Sequence, residues 1–230
     1  MNAPKEIIIS SSSEVALQLQ VRAVSVNKFD KSVNRIIKRS VDIILGSLLM
    51  IVSFPLLVPI IAMIVVMDSP GPVFFLQKRT GRDRKSFKCI KFRTMVVNKD
   101  ANRLQVQPGD KRITRSGHYL RKFYLDELPQ LINVVRGEMS LVGPRPHMLR
   151  HNVEFARKIE NYHDRHKIKP GMTGLAQLRG YHGMIRNEEA LRNRISSDLE
   201  YIETWTLFGD IGIFFRTLYH VIVSLGWEKD

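Results

Sequence analysis

Residues 43–67 run for 25 positions without a charged side chain, and Pro55 and Pro59 stand near the middle of the run. An apolar helix crosses a hydrocarbon core of about 30 Å with about 20 residues, at about 1.5 Å each. An unbroken helix here is therefore long enough to span a bilayer. Proline lacks an amide hydrogen and its ring crowds the carbonyl one turn back, so it bends or breaks a helix. Divided at Pro55, the run falls into halves of 12 and 13 residues. Each is about 18–20 Å long as helix, enough to enter a bilayer and too short to cross it.

The flanks agree. Positions 22–42 hold six basic residues (Arg22, Lys28, Lys31, Arg35, Lys38, Arg39), and positions 68–88 hold six more (Lys78, Arg79, Arg82, Arg84, Lys85, Lys88). Spanning segments concentrate Lys and Arg on the cytoplasmic side. Balanced flanks favour both ends on one side, and so a re-entrant helix-break-helix. A spanning helix with a proline kink is the alternative. A soluble core helix is disfavoured, because such helices are rarely apolar all round for this length. Lys38 and Arg39 are expected at the headgroups, where long basic side chains snorkel.

Thirty-six basic residues against 22 acidic ones leave a net charge of +14. That balance suits a polyanionic partner: nucleic acid, an anionic lipid surface or a phosphorylated substrate. Basic residues beside an apolar run favour the lipid surface. Zinc spacing, aromatic RNA motifs and a basic zipper are all missing, so nucleic acid is not expected. Cys89 is the only cysteine. No intrachain disulfide is expected, and a reducing compartment fits. The first residues do not read as a signal peptide.

Residues 1–33, with a serine run, read as a flexible lead-in, 34–68 as the membrane segment, and 69–230 as the main domain with an apolar tail. Strands are expected at 73–76 and 87–92, forming a hairpin around a turn at 80–83. A polar loop follows over 98–118. Helical spacing covers 120–135, with Gly137 closing it and Ser32 capping the first helix near residue 33. Amphipathic helices are read at 153–165 and 188–205. The tail at 211–225 suits a helix in the membrane interface or one in the core. The fold class is α+β, mostly helical, with one small β-hairpin.

Asp126 and Glu127 are adjacent inside the apolar stretch 123–129, just before Pro129. Neighbouring carboxylates repel. A divalent cation relieves that, and Mg²⁺ takes one or two carboxylates together with phosphate oxygens. Two acids at a helix start that merely favour its dipole are the plain alternative. Arg121 lies five residues upstream. Gly143-Pro144-Arg145-Pro146-His147 is a stiff turn presenting one guanidinium, which suits bidentate phosphate recognition. A solvated surface arginine is the alternative there. His163 and His166 have a ligand-like spacing but read as surface residues. His147 and His151 read as polar positions near the acids, and Cys89 as a buried thiol. Trp205, Phe208, Phe214, Phe215 and Trp227 serve packing or an interfacial belt.

Six motifs occur in a telling order. They are Ile37-Lys38-Arg39-Ser40-Val41-Asp42, Gln77-Lys78-Arg79-Thr80-Gly81, Lys91-Phe92-Arg93-Thr94-Met95, Leu125-Asp126-Glu127-Leu128-Pro129-Gln130, Met139-Ser140-Leu141-Val142-Gly143-Pro144-Arg145-Pro146 and Lys169-Pro170-Gly171-Met172-Thr173-Gly174. In this order, beside a proline-broken apolar segment, they resemble the bacterial sugar transferases. The closer likeness is to monotopic polyprenyl-phosphate hexose-1-phosphate transferases (phosphoglycosyl transferases), over about residues 35–225. With one long apolar stretch, the chain resembles the compact members or a short-leader variant of the larger ones.

The resemblance implies transfer of a sugar 1-phosphate from a UDP-sugar to polyprenyl phosphate, usually undecaprenyl phosphate, with release of UMP. This would be the first membrane step of exopolysaccharide or glycoconjugate assembly. Residues 143–152 and Arg179-Gly180-Tyr181-His182-Gly183 resemble members that use UDP-glucose or UDP-galactose. Asp126 matches the nucleophile that forms a covalent phospho-sugar intermediate. Glu127, with Asp126, matches the carboxylates for Mg²⁺. Arg121 and Arg145 match phosphate-side residues, and Lys78, Arg79, Lys91 and Arg93 are candidates for the same anionic pocket. Membrane residues are Lys38, Arg39 and Pro55. The implied place is the inner (cytoplasmic) membrane, monotopic, with the catalytic domain toward the cytoplasm and the last helix in the interface. Implied partners are the UDP-sugar, polyprenyl phosphate and membrane lipids, with no nucleic acid; a homodimer is compatible. A non-catalytic basic membrane-surface scaffold and a nucleic-acid-binding protein are the competing readings.

Overall fold

The computed structural model describes residues 32–102, 104–185 and 187–226. The expected lead-in, up to residue 31, and Trp227 lie outside the described residues. Helix α1 is Ser32–Asp68. Strands β1 (Phe74–Thr80) and β2 (Ser86–Phe92) form an antiparallel hairpin with Phe74 opposite Phe92 and Thr80 opposite Ser86. After an irregular stretch come α2 (Arg115–Lys122), a 3₁₀ turn (Leu125–Glu127) and α3 (Gln130–Arg136). Strand β3 (Ser140–Val142) pairs in parallel with β4 (Gly171–Thr173). Between them lie α4 (Leu149–Lys158) and a 3₁₀ segment (Tyr162–Lys167). The short α5 (Leu175–Leu178), α6 (Glu188–Glu203) and α7 (Leu207–Gly226) complete the chain. Mostly helix with two small sheets, this is the α+β class the sequence implies.

Helix α1 keeps its helical assignment through Pro55 and Pro59, so the expected break does not divide it into two elements. Each proline removes one hydrogen bond, which a helix survives where little water competes for the rest. One stripe of α1 faces the protein. Lys38, Asp42, Gly46, Ile61 and Val65 are buried, and Leu45, Met50, Phe54 and Val58 pack on the two adjoining cores. The opposite face exposes Ile44, Leu48, Ile51, Val52, Leu56 and Ile60. The helix is long and apolar enough to cross a membrane.

Both ends of α1 are tied to the same domain. Lys38 Nζ donates to Val142 O at 3.0 Å and to Asp210 Oδ2 at 2.5 Å. Asp42 Oδ1 accepts from Ser140 Oγ and Leu141 N, each at 2.9 Å. The Arg39 guanidinium donates to Val134 O at 2.6 Å and Val135 O at 2.7 Å. Lys38 and Arg39 therefore turn inward, a correction to their expected place at the headgroups. The carbonyls left open at the end of α3, and the Asp210 carboxylate, take their charges instead. At the other end, Asp68 Oδ2 accepts from Ser116 N at 2.7 Å and Ser116 Oγ at 2.6 Å in the first turn of α2.

The main core gathers Cys89, Leu131, Val134, Met139, Tyr201, Ile202 and Trp205 from β2, α3 and α6 and the segments beside them. A second cluster joins Ile61 and Val65 of α1 to Phe92 and Leu120. Burying each such side chain stabilises by roughly 1.5–3 kcal/mol, so α1 is part of the core that shapes the hairpin.

Several boundaries moved. The helix expected over 120–135 is two helices, with the acidic pair in the 3₁₀ turn between them. Tyr124 adopts a left-handed conformation (φ 56°), and Pro129 caps α3 without an amide to donate. Gly137 ends α3 at φ 82°, as expected. The helix expected at 153–165 starts earlier, as α4, and gives way to 3₁₀ winding. That winding buries His166, which corrects its reading as a surface residue, while His163 stays exposed. Asn187 caps α6 by accepting from Ala190 N at 2.8 Å. Helix α7 packs Ile213 and Phe214 on the core and exposes Phe208, Phe215 and Tyr219.

Candidate active site

The acidic pair sits on a turn whose backbone is wound tightly. Glu127 N donates to Tyr124 O at 3.1 Å and Leu128 N to Leu125 O at 3.2 Å. A non-glycine residue in the left-handed region costs about 1–2 kcal/mol, and Tyr124 carries that strain two positions before Asp126. Asp126 is 5% exposed and Glu127 8%. Carboxylates are almost never this buried without partners.

The hairpin and the Pro-Arg-Pro turn supply them. Lys91 Nζ on β2 donates to Glu127 Oε1 at 2.5 Å and stands 3.7 Å from Asp126 Oδ2. Arg145 forks onto Glu127, Nη2 to Oε1 at 2.5 Å and Nη1 to Oε2 at 3.1 Å. The turn holding Arg145 is itself clamped. Arg79 Nη1 donates to Pro146 O at 2.5 Å, and Arg165 Nη2 donates to Arg145 O at 2.6 Å while pairing with Asp198 at 2.7 Å. Rigid backing of this kind fixes a guanidinium where an anion must land.

The two acids differ electrically. Burial disfavours the charge on Glu127, but Arg145 and Lys91 override it and hold its carboxyl well below the usual range. For Asp126 burial prevails: it raises the carboxyl, Lys91 pulls it back only in part, and the Glu127 charge adds to the rise. Among the described residues no hydrogen bond to the Asp126 carboxylate accompanies the distant Lys91 pair. One acid is fully engaged and the other stands ready, the separation expected where two carboxylates have different tasks.

Both face a cavity of about 840 Å³, within the usual size of a ligand site. Its basic wall includes Arg79, Lys91, Arg121, Arg145 and Arg194, and its apolar wing includes Phe74, Val96, Val97 and Leu104. Burial and then Asp126 act on Arg121 in opposite senses, with a net lowering. His147 is buried, with Nδ1 2.7 Å from Tyr162 Oη, and burial keeps its imidazole neutral. His151 meets Gln105 Nε2 at 3.1 Å on the rim.

The structure places two of the expected pocket residues away from the acids. Lys78 is exposed and outside the cavity lining, because strand alternation sends it to the face opposite Gln77 and Arg79. Arg93 borders the cavity, but its guanidinium is taken up by Pro72 O (2.6 Å), Ser69 Oγ (2.8 Å) and Ser69 O (2.6 Å), which fastens the end of α1 to β2. Sequence reasoning missed Tyr124 and Arg194. Arg194 is 7% exposed and borders the cavity. One nitrogen donates to Gly183 O at 2.5 Å, while its buried Nε has no partner. Burial and then Arg145 bring its guanidinium down to about 10. His182, on the same rim, is pushed down by partial burial and then by Arg145.

The acids fit a divalent cation only together with a substrate. A carboxylate offers about four lone-pair sites, of which Lys91 and Arg145 use three on Glu127. One remains on Glu127 Oε2, beside the open oxygens of Asp126. Among the described residues no group of three or more His, Cys, Asp or Glu side chains could hold a metal. Phosphate oxygens and water would have to complete a Mg²⁺ shell, which is how Mg²⁺ is usually held.

The family model described as bacterial sugar transferase matches residues 33–224. The UDP-glucose:undecaprenyl-phosphate glucose-1-phosphate transferase of Escherichia coli (strain K12) is 46% identical over 193 residues, covering 84% of this chain and 41% of that protein. The protein of the same name from Caulobacter vibrioides is 44% identical over 182 residues, covering 79% of this chain and 68% of the relative. The exopolysaccharide production protein PSS of Rhizobium leguminosarum bv. phaseoli is 42% identical over 190 residues, 80% of this chain and 94% of the relative. The chain thus spans about two fifths of the Escherichia coli relative and nearly all of the Rhizobium one.

Proposed function

The chain belongs to the bacterial sugar transferase family, and on that footing we propose that it transfers a hexose 1-phosphate from a UDP-sugar to undecaprenyl phosphate and releases UMP. The observation that carries this reading is the buried acid pair, one carboxylate locked by two cations and one nearly free, on the wall of a basic cavity. UDP-glucose and UDP-galactose are the favoured donors, in keeping with relatives named for glucose and for galactose transfer.

The free acid, Asp126, is the nucleophile. A carboxylate oxygen bonds to the sugar-linked phosphorus as the bond to UMP breaks, and UMP leaves with the electron pair. A phosphate oxygen of the lipid then bonds to the same phosphorus, the acyl-phosphate bond breaks, and Asp126 is restored. Dividing the exchange at one carboxylate replaces a single difficult step with two easier ones. Lys91, Arg121 and Arg145 balance charge on the phosphoryl oxygens. Glu127 and Asp126 would hold Mg²⁺, which when bound supplies further charge neutralisation. The buried turn limits water, which would otherwise hydrolyse the acyl phosphate.

Helix α1 is read as re-entrant in the inner membrane, with residues 69–230 on the cytoplasmic side and the outer face of α7 in the interface. What supports this is that Lys38 and Asp68, near the two ends of α1, both bond to the same folded domain. Cysteines placed at the two ends should label from the same face of sealed vesicles; labelling from opposite faces overturns it.

Rapid quenching tests the chemistry. With donor carrying labelled phosphorus next to the sugar and no acceptor lipid, label is expected on Asp126 in step with UMP release. Asp126→Asn should lose turnover by at least about 10³-fold with its thermal midpoint kept. Steady UMP release with the polypeptide never labelled overturns the covalent route, and full activity of the variant favours a scaffold role for the acid.

A further inference from the structure

Tyr124 is held in a costly conformation that its packing does not explain. Its φ of 56° is left-handed, a region that glycine and asparagine enter easily and a bulky aromatic residue does not. The side chain is 41% exposed and belongs to none of the three core clusters. Strain of this kind persists where the surroundings enforce it, and it gathers at functional sites.

The strained backbone brings the phenol against a residue far away in the chain. Tyr124 Oη lies 3.1 Å from His182 Nε2, and the two rings meet edge to face with centroids 6.1 Å apart. Both border the cavity that holds Asp126, Glu127 and Arg145. The charges of Arg145 and Glu127 act on both rings. Behind His182, the guanidinium of Arg194 holds Gly183 O at 2.5 Å, which fixes the segment carrying the imidazole.

We propose that Tyr124 and His182 form the wall that recognises the hexose ring of the donor. This rests on the phosphoglycosyl transfer proposed above. Attack requires the sugar-bearing phosphorus about 3–3.5 Å from the Asp126 oxygen. The sugar is thereby placed beside the turn that carries Tyr124. The exposed phenol face suits the C–H bonds of a pyranose, because an aromatic face carries negative charge. Tyr124 Oη and His182 Nε2 share one hydrogen bond, in which either atom can donate. In both cases the phenol oxygen keeps a lone pair for a sugar hydroxyl. A wall that hydrogen-bonds one hydroxyl rejects donors that place it elsewhere. Tyr124 is thus a specificity-determining residue, and Arg194 is a positioning residue acting through Gly183 and His182.

The test uses the full chain in lipid nanodiscs with undecaprenyl phosphate, Mg²⁺ and a panel of UDP-hexoses and UDP-N-acetylhexosamines, reading UMP release. Tyr124→Asn relieves the backbone strain while removing the ring. For the preferred donor, KM should rise about tenfold, and the preference over its C4 epimer should shrink at least about fivefold. The inhibition constant of UMP should stay within about twofold, because the nucleotide is not what the wall holds. The thermal midpoint should stay or rise. Tyr124→Phe keeps the ring and loses the hydroxyl, so it should lose selectivity with a smaller change in KM. Unchanged donor preference in Tyr124→Asn overturns the inference, as does a large rise in the UMP constant. A fall in thermal midpoint together with activity also overturns it, by making the role structural. Wild-type protein that releases no UMP from any UDP-sugar overturns the proposed function with it. Wild-type turnover alongside an unaltered variant overturns this inference alone.

Discussion

Two buried charge clusters in this protein use similar parts and end in different states. At the foot of α1, Lys38 is set between Asp42 and Asp210. Asp42 accepts from a hydroxyl and a backbone amide, and Asp210 accepts from Lys38, from Tyr201 Oη at 2.7 Å and from Trp205 Nε1 at 3.0 Å. In the cavity, Lys91 and Arg145 meet Asp126 and Glu127. Glu127 is hydrogen-bonded by two cations, whereas among the described residues the ion pair of Asp126 is the ammonium of Lys91 at 3.7 Å, and Asp126 borders the cavity. The first cluster is hydrogen-bonded within the protein and anchors a helix. The second is left incomplete by one acid. A buried polar group without partners is costly, and a protein that keeps one beside a large basic cavity is positioned to complete it with a ligand.

Breaking the first cluster should have the larger effect on stability. Asp210→Ala leaves Lys38, the Tyr201 hydroxyl and the Trp205 indole short of a partner, so roughly 3–5 kcal/mol should be lost. Unfolding in detergent measures it, and a loss under about 1 kcal/mol would mean that the cluster is not what fastens α1.

Altering the second cluster should act on chemistry and on pH. Lys91 is the main influence lowering Asp126 against the burial that raises it. Lys91→Gln should therefore raise the Asp126 pKa further and move the acid limb of kcat/KM to higher pH, with about a 10²-fold loss at neutral pH. A pH–rate profile with an unmoved acid limb would remove Lys91 from this role. The sign on stability differs for the other acid. Glu127 is held below its unfolded value, so its contribution is present above that value and is lost as pH falls through the folded one. In Lys91→Gln this acid-labile contribution should shrink, since one of the two cations holding Glu127 is gone.

The smallest effect sharpens the boundary of the site. Lys78→Ala removes a charge one residue from Arg79 but on the outer face of β1. UMP release should stay within about twofold and stability within about 0.5 kcal/mol. A large loss of activity would bring Lys78 back into the anionic pocket.

Much of this could be read without coordinates, where local rules dominate. The imperfect apolar alternation over 87–92 marks β2, and the amphipathic spacing over 188–205 marks α6. The acid pair, Arg121 and the Pro-Arg-Pro turn are visible as chemistry. The left-handed residue inside 120–135 was not legible, because tyrosine does not announce that conformation and the apolar spacing continues across it. Nor could spacing say that Arg93 clamps carbonyls while Arg145 clamps an acid. Both are single arginines after strand or turn residues, and only their surroundings differ.

From composition and order alone, this chain was bound to have a long apolar helix, a basic domain, a hairpin and two adjacent acids ahead of a proline. Those properties follow from side-chain chemistry and from contacts within a few residues. Folding in three dimensions decided which of the two acids stays free, which lysine faces inward, and that a tyrosine meets a histidine 58 positions later. Such outcomes depend on which distant groups come within hydrogen-bond reach in a low-dielectric interior. That competition among partners is settled only when the whole chain closes around them.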